Sequence, residues 1–227
     1  MNNYLREDET IVLGVTGSMG CGKTTVCEKL MAEAEARGIP TTYISLDDIR
    51  REVLGPDPQY ADTRRELSDR LYVALNEDGS IDGPELRRKI YCGLDNMSHY
   101  KMTLHNKLHD IVHEEIENAH GLVLFEWAML YEDHFHHWVA NNVLLVTCTK
   151  EEQMKRLSGG DLTDTEIKRR IGLQMTNDQK EYSHGYKSVT MGGRLVKFDT
   201  TSDPHPDAYV KLLHEIVGVP RRGARSS

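Results

Sequence analysis

A chain of 227 residues with 38% apolar side chains suits one sizeable domain, or a core carrying inserted subdomains, and needs no disulfide staples. Its formal charge of −8 argues against non-specific nucleic-acid binding, and no apolar run is long enough to cross a membrane. Residues 1–10 are too polar for a signal peptide, and the dispersed Cys21, Cys27, Cys92 and Cys148 read as free thiols of a reducing cytosol, so a cytoplasmic location is expected.

In chain order, the apolar residues 11–16 predict a strand. The run Gly17-Ser18-Met19-Gly20-Cys21-Gly22-Lys23-Thr24 follows, and residues 24–37 predict a helix stopped by Gly38. After Pro40 a second strand, residues 41–45, ends at Asp47 and Asp48. Residues 49–120 are polar and helical without a strand. Asp78-Gly79-Ser80 is a turn, Pro84 starts a helix that covers 86–91, and Met102, Leu104, Leu108, Ile111, Val112 and Ile116 recur at helical spacing. Strands resume at 122–127 and 142–147. Helices at 150–157 and 163–175 surround a Ser158-Gly159-Gly160 hinge, and a strand at 195–198 precedes a closing helix at 207–217.

This alternation predicts an α/β fold with a parallel sheet flanked by helices, and the G-x-x-x-x-G-K-T run between the first strand and helix makes it P-loop NTPase-type. The core falls at about 10–48, 121–149 and 194–218, with a helical acceptor-binding insertion at about 49–120 and a helical lid at about 150–180. A kinase must bring its acceptor to the γ-phosphate and exclude water, and an acceptor module with a mobile lid meets that need.

The G-x-x-x-x-G-K-T run between strand and helix is a phosphate-binding loop. Its backbone N–H groups converge on an anion and the helix N-terminus adds partial positive charge. Gly17 to Thr24, with Thr25, are therefore the expected nucleotide-binding residues. Lys23 reaches the β- and γ-phosphates as a catalytic cation, and the Thr24 hydroxyl ligates the Mg²⁺ of ATP. Glu126, ending the third strand, stands where a Walker-B-type carboxylate orients metal-bound water. Asp47 lies beyond a strand's carboxyl end, where ligand crevices form, and is assigned the catalytic role; Asp48 is assigned the helix cap. Cationic side chains on the insertion (Arg87, Arg88, Lys89) and lid (Lys155, Arg156, Lys168, Arg169, Arg170) are solvated faces unless aimed at phosphate, and at least one lid cation is expected to touch it. His105, His109 and His113 share a helix face, and His134, His136 and His137 read as a surface loop. Neither set is assigned a metal, and His105 is read as an acceptor contact. Thr149-Lys150-Glu151-Glu152 is a strand end with helix caps rather than a guanine-reading motif.

The order of these motifs resembles the dephospho-CoA kinase family. Thr16 to Thr24 corresponds to its phosphate loop, Ser45-Leu46-Asp47-Asp48-Ile49 to its D-A-D-x-I, and Asp78-Gly79-Ser80-Ile81 with Leu86-Arg87 and Leu104-His105 to its helical module. Glu126 to Glu132 is similar to its D-I-P-L-L-F-E. Gln153-Met154-Lys155-Arg156-Leu157 and Arg170-Ile171-Gly172-Leu173-Gln174-Met175 are similar to its lid. The resemblance covers about residues 11–180. It implies transfer of the ATP γ-phosphate to the ribose 3′-hydroxyl of dephospho-CoA, the last step of CoA synthesis. It makes Asp47 the catalytic carboxylate, Arg87 and His105 acceptor-binding residues, and Glu126 the strand-end carboxylate. Departures are Ser45 for the first Asp, Asn106 and Ala128 for two prolines, and extra sequence at 182–194. Gly160 replaces a lid Arg, so that phosphate contact is either missing or moved to Arg156 or Lys180.

Two alternatives stand beside this reading. Ile44-Ser45-Leu46-Asp47-Asp48 is also like uridine kinase relatives, which admits a P-loop kinase for a nucleoside, nucleotide or pantothenate. The changed lid admits a non-catalytic nucleotide sensor. The expected partners are ATP and a small acceptor, with no nucleic acid and no membrane.

Overall fold

The computed structural model describes residues 10–90, 94–158 and 163–217. Five strands form one sheet: β1 (Thr10–Thr16), β2 (Thr41–Ser45), β3 (Gly121–Glu126), β4 (Val143–Thr147) and β5 (Leu195–Asp199), in the order β2-β3-β1-β4-β5. β1 pairs in parallel with β3 and β4, and β4 with β5; Leu13 stands opposite Leu124 and Val143 opposite Leu195. The helices are α1 (Lys23–Glu35), α2 (Leu46–Leu54), α3 (Ala61–Leu71), α4 (Gly83–Ile90), α5 (Leu94–Asn118), α6 (Lys150–Leu157), α7 (Asp164–Gly172), α8 (Asn177–Met191) and α9 (Pro206–Val217). The fold is an α/β fold, a parallel sheet flanked by helices with helical insertions. Among the described residues no helix is long and apolar enough to cross a membrane.

β1, β3 and β4 are apolar on both faces because both faces are covered, so they read as continuous hydrophobic runs. On one face Ile11, Leu13 and Val15 alternate along β1 and join Leu124 and Val146. Val26 and Leu30 of α1 and Leu212, Leu213 and Ile216 of α9 close this core. Full burial of each such side chain stabilises by about 1.5–3 kcal/mol. The loop between β3 and β4 is itself apolar inside, with Leu130, Phe135 and Val139 buried and the Phe135 ring 5.5 Å from that of Phe125.

The chain divides into two compact units, one running to Ile44 and resuming at Ile116, the other Ser45–Glu115. The described residues of the second form helices, their connections and an antiparallel bridge between Leu75 and Ile81. Leu104, Leu108 and Val112 form the buried stripe of α5, but Met102, expected on that stripe, is 64% exposed. It lies two residues before Leu104, and i, i+2 positions point to different sides of a helix. Arg64 is buried and ties this unit together, its Nε donating to the Gly79 carbonyl (2.7 Å) and Nη1 to that of Val53 (3.2 Å). The Ser80 hydroxyl (2.6 Å) and amide (2.9 Å) both donate to Asp78 Oδ1, which makes the expected turn and holds the Asp78 carboxyl below its ordinary range.

Strand positions agree with the sequence reading to within a residue. Two helices stop early, α1 at Glu35 and α7 at Gly172. The larger correction is α8, a 15-residue helix where the sequence reading had, over 182–194, only extra sequence. Its weak apolar stripe leaves Tyr182, Tyr186 and Val189 exposed, so periodicity did not reveal it. The signal present was a capping box, in which Thr176 Oγ1 accepts from the Gln179 amide and Gln179 Oε1 from the Thr176 amide. Cys92, the hinge residues Gly159 and Gly160, and the basic tail (Arg221, Arg222, Arg225) lie outside the described residues.

Candidate active site

The phosphate loop leaves the carboxyl end of β1. A Cβ on Gly17 would stand 2.1 Å from the Val146 carbonyl oxygen, so only glycine lets the chain turn this close to β4. At the other end Gly22 (φ 78°) is the left-handed residue that starts α1. No side chain caps this helix, so its first amides are not engaged by a side-chain cap. Ser18, Met19 and Gly20 are half-buried, Cys21 is buried, and Thr24 and Thr25 are exposed. Lys23 is 9% exposed, its Nζ 3.4 Å from the Ser18 carbonyl oxygen, so the ammonium folds back across the loop.

Glu126, at the end of β3, closes the other side. Thr24 Oγ1 donates to Glu126 Oε1 at 3.1 Å and the Tyr43 hydroxyl to Oε2 at 2.5 Å. The predicted pair Thr24 and Glu126 thus comes together on adjoining elements, and Tyr43 is a partner the sequence reading missed. A hydroxyl and a carboxylate are hard oxygen donors of the kind Mg²⁺ takes, so the donor set fits that ion.

Helix α6 and the segment after α7 brace the loop. Gln153 Nε2 donates to the Met19 carbonyl (2.6 Å), and the Met19 amide donates to Gln174 Oε1 (3.0 Å). Both glutamines stand in the lid-like patterns noted in the sequence, which assigned them no role; the structure shows that they bond to Met19. Arg156 Nη1 donates to Thr200 Oγ1 at 3.1 Å and lies 3.3 Å from where a Gly22 Cβ would be. Thr200 Oγ1 in turn donates to the Cys21 carbonyl at 2.8 Å. The loop after β5 and the expected lid cation Arg156 therefore meet at the phosphate loop. Cys148 contributes a thiol 3.2 Å from that of Cys21, and burial with this contact pushes Cys148 up to about 12, so it stays protonated.

Lys180, the other expected lid cation, is 1% exposed on α8. Its Nζ donates to the Ala128 carbonyl (2.7 Å) and both Glu132 oxygens (2.9 and 3.1 Å). Glu132 also accepts from the Met175 amide at 2.7 Å. In this structure the Lys180 ammonium is committed to that knot.

In the helical unit, Asp47 lies in the first turn of α2, half-exposed and paired with Arg50 at 2.7 Å. The cap of α2 is not Asp48, as expected, but Ser45, whose Oγ accepts from the Asp48 amide at 3.3 Å. The helix begins at Leu46, directly after the strand, whereas a cap at Asp48 would delay its first residue to Ile49. Arg87 is exposed on α4, and His105 is half-buried on α5 with its ring centroid 4.2 Å from that of His109.

The dephospho-CoA kinase family profile matches residues 11–185, from β1 into α8. The dephospho-CoA kinase of Bdellovibrio bacteriovorus is 28% identical over 181 residues, 74% of this chain and 82% of that protein. The dephospho-CoA kinase of Shouchella clausii is 27% identical over 209 residues, covering 89% and 99%. Among solved structures, TT1252 from Thermus thermophilus superposes with a TM-score of 0.68 at 20% identity, covering 93% of this chain and 98% of that one, a likeness of fold. With its phosphate loop, strand-end carboxylate and the two glutamines bonded to Met19 inside the matched span, the chain belongs to the dephospho-CoA kinase family of P-loop small-molecule kinases.

Proposed function

We propose that this protein transfers the γ-phosphate of ATP to the ribose 3′-hydroxyl of dephospho-CoA, giving CoA and ADP. The observation that carries the reading is the family match over residues 11–185, which spans the phosphate loop, the helical unit and the expected lid. The loop amides and the start of α1 hold the phosphates. Lys23 neutralises charge on the transferring group, where electrostatic stabilisation is the main catalytic resource. Thr24 directly, and Glu126 through water, would hold Mg²⁺, which neutralises phosphate charge when bound. Tyr43 keeps the Glu126 carboxylate oriented. Arg156 is the lid cation at the nucleotide. Asp47 accepts the proton of the attacking hydroxyl, and Arg87 and His105 contact the acceptor's phosphates.

The test is ADP release with dephospho-CoA, uridine, pantothenate and nucleoside monophosphates as acceptors, with mass spectrometry to locate a new 3′-phosphate. CoA formation with dephospho-CoA preferred is the expected result. Turnover on uridine or pantothenate alone would transfer the assignment to the nucleoside or pantothenate reading. ATP binding without turnover on any acceptor would leave a sensor.

A further inference from the structure

The loop between β3 and β4 carries three histidines that the phosphate site does not use. His134, His136 and His137 each present a ring nitrogen, and these donor atoms lie within 4.8 Å of one another. The sequence reading placed all three on a surface loop, but His136 is fully buried while His134 and His137 are exposed. Neither ring nitrogen of His136 makes a hydrogen bond of normal geometry among the described residues, although the Leu130 carbonyl, which accepts from the His136 amide at 3.3 Å, also acts on the ring. A buried polar group left unsatisfied costs about 1–3 kcal/mol, so an orphaned imidazole inside a well-packed loop calls for a ligand. The ring is stacked on that of Tyr131 at 5.3 Å, and the His137 ring lies 4.2 Å away.

We propose that His134, His136 and His137 bind one divalent transition-metal ion of the zinc class, separate from the Mg²⁺ expected at Thr24 and Glu126. Imidazole nitrogens suit zinc, nickel and copper, whereas Mg²⁺ prefers oxygen, so the two sites select different ions. Three histidines leave a fourth tetrahedral position for water. Zinc–nitrogen bonds of about 2.0–2.1 Å set ligand nitrogens about 3.3 Å apart, so the exposed His134 and His137 rings must swing inward toward the fixed His136. The positive charge of Lys187, felt by His136 and His137, opposes the ion. Binding fastens the loop that carries Ala128 and Glu132, the acceptors of Thr16 and Lys180, so its main effect is on stability.

The experiment uses the full chain, stripped with chelator and titrated with Zn²⁺ or Co²⁺ in saturating Mg²⁺. One ion per chain, tetrahedral Co²⁺ absorption and a raised Tm are expected. His134→Ala/His137→Ala removes two exposed side chains and should weaken binding at least about tenfold and abolish the absorption, since even outer-shell losses cost 10–100-fold. His137→Ala alone serves if circular dichroism shows the double variant unfolded. His105→Ala/His109→Ala should bind the ion as the wild type does. No Zn²⁺ bound by the wild-type chain, equal affinity in the His134/His137 variants, or affinity lost in the His105/His109 variant would each overturn the proposal. None of these readouts depends on kinase activity.

Discussion

Lys23 and Lys180 are both buried cations, yet their surroundings set opposite tasks. The Lys23 ammonium makes one long approach to the Ser18 carbonyl, at 3.4 Å, and in the proposed reaction its charge serves an incoming phosphate. Lys23→Ala should lower kcat at least about a hundredfold, the scale lost with a single transition-state donor, while the fold survives. A folded variant turning over near the wild-type rate would remove the loop from the catalytic argument. Lys180 instead has its hydrogen bonds taken by Glu132 and Ala128, and burial pulls its pKa below the ordinary lysine value against the pull of Glu132. Lys180→Met would strand the Glu132 carboxylate and should cost about 3–5 kcal/mol in chemical denaturation, as breaking a buried pair does. A loss under about 1 kcal/mol would return Lys180 to the exposed-cation class.

At the scale of elements, the phosphate loop is held by groups from α6, from the residues after α7 and from the loop after β5. Gln153 and Gln174 bond to the two sides of Met19. Gln153→Ala should therefore raise the KM for ATP more than it lowers kcat, because a loosened loop binds the ground state less well. A fall in kcat with unchanged KM would point to a transition-state role instead. Helix α8 anchors the β3–β4 loop through His184, whose Nε2 meets the Asn141 carbonyl and whose Nδ1 meets Ser188 Oγ. Burial depresses the His184 pKa, and burial with neighbouring positive charge takes His136 down to about 4. Below about pH 6.5 the unfolded chain takes up protons that these folded imidazoles refuse, so stability is present above that pH and is lost on acidification, for His136 toward about 4. Thermal melts of metal-free protein should show this decline, and His184→Gln should make it shallower. An unchanged slope would assign the effect to other groups.

Over the whole molecule, chain-local information carried the architecture. Buried strands are unbroken apolar runs, the turn to α1 needs glycine at Gly17 and Gly22, and the α5 stripe recurs every four residues. The sequence by itself therefore determined the strand positions, the phosphate loop, the strand-end carboxylate and the family, because each is written in residues adjacent in the chain. Tertiary structure alone decided which distant groups meet. Tyr43 reaches Glu126 across 83 positions, Gln174 reaches Met19 across 155, and Lys180 turns inward to Glu132 across 48. It alone decided that His136 is buried while its two neighbours are exposed. No local pattern encodes such pairings, since they depend on where the sheet order and the loop packing bring separate segments, and burial sets whether a charge or an imidazole is a surface group or a ligand.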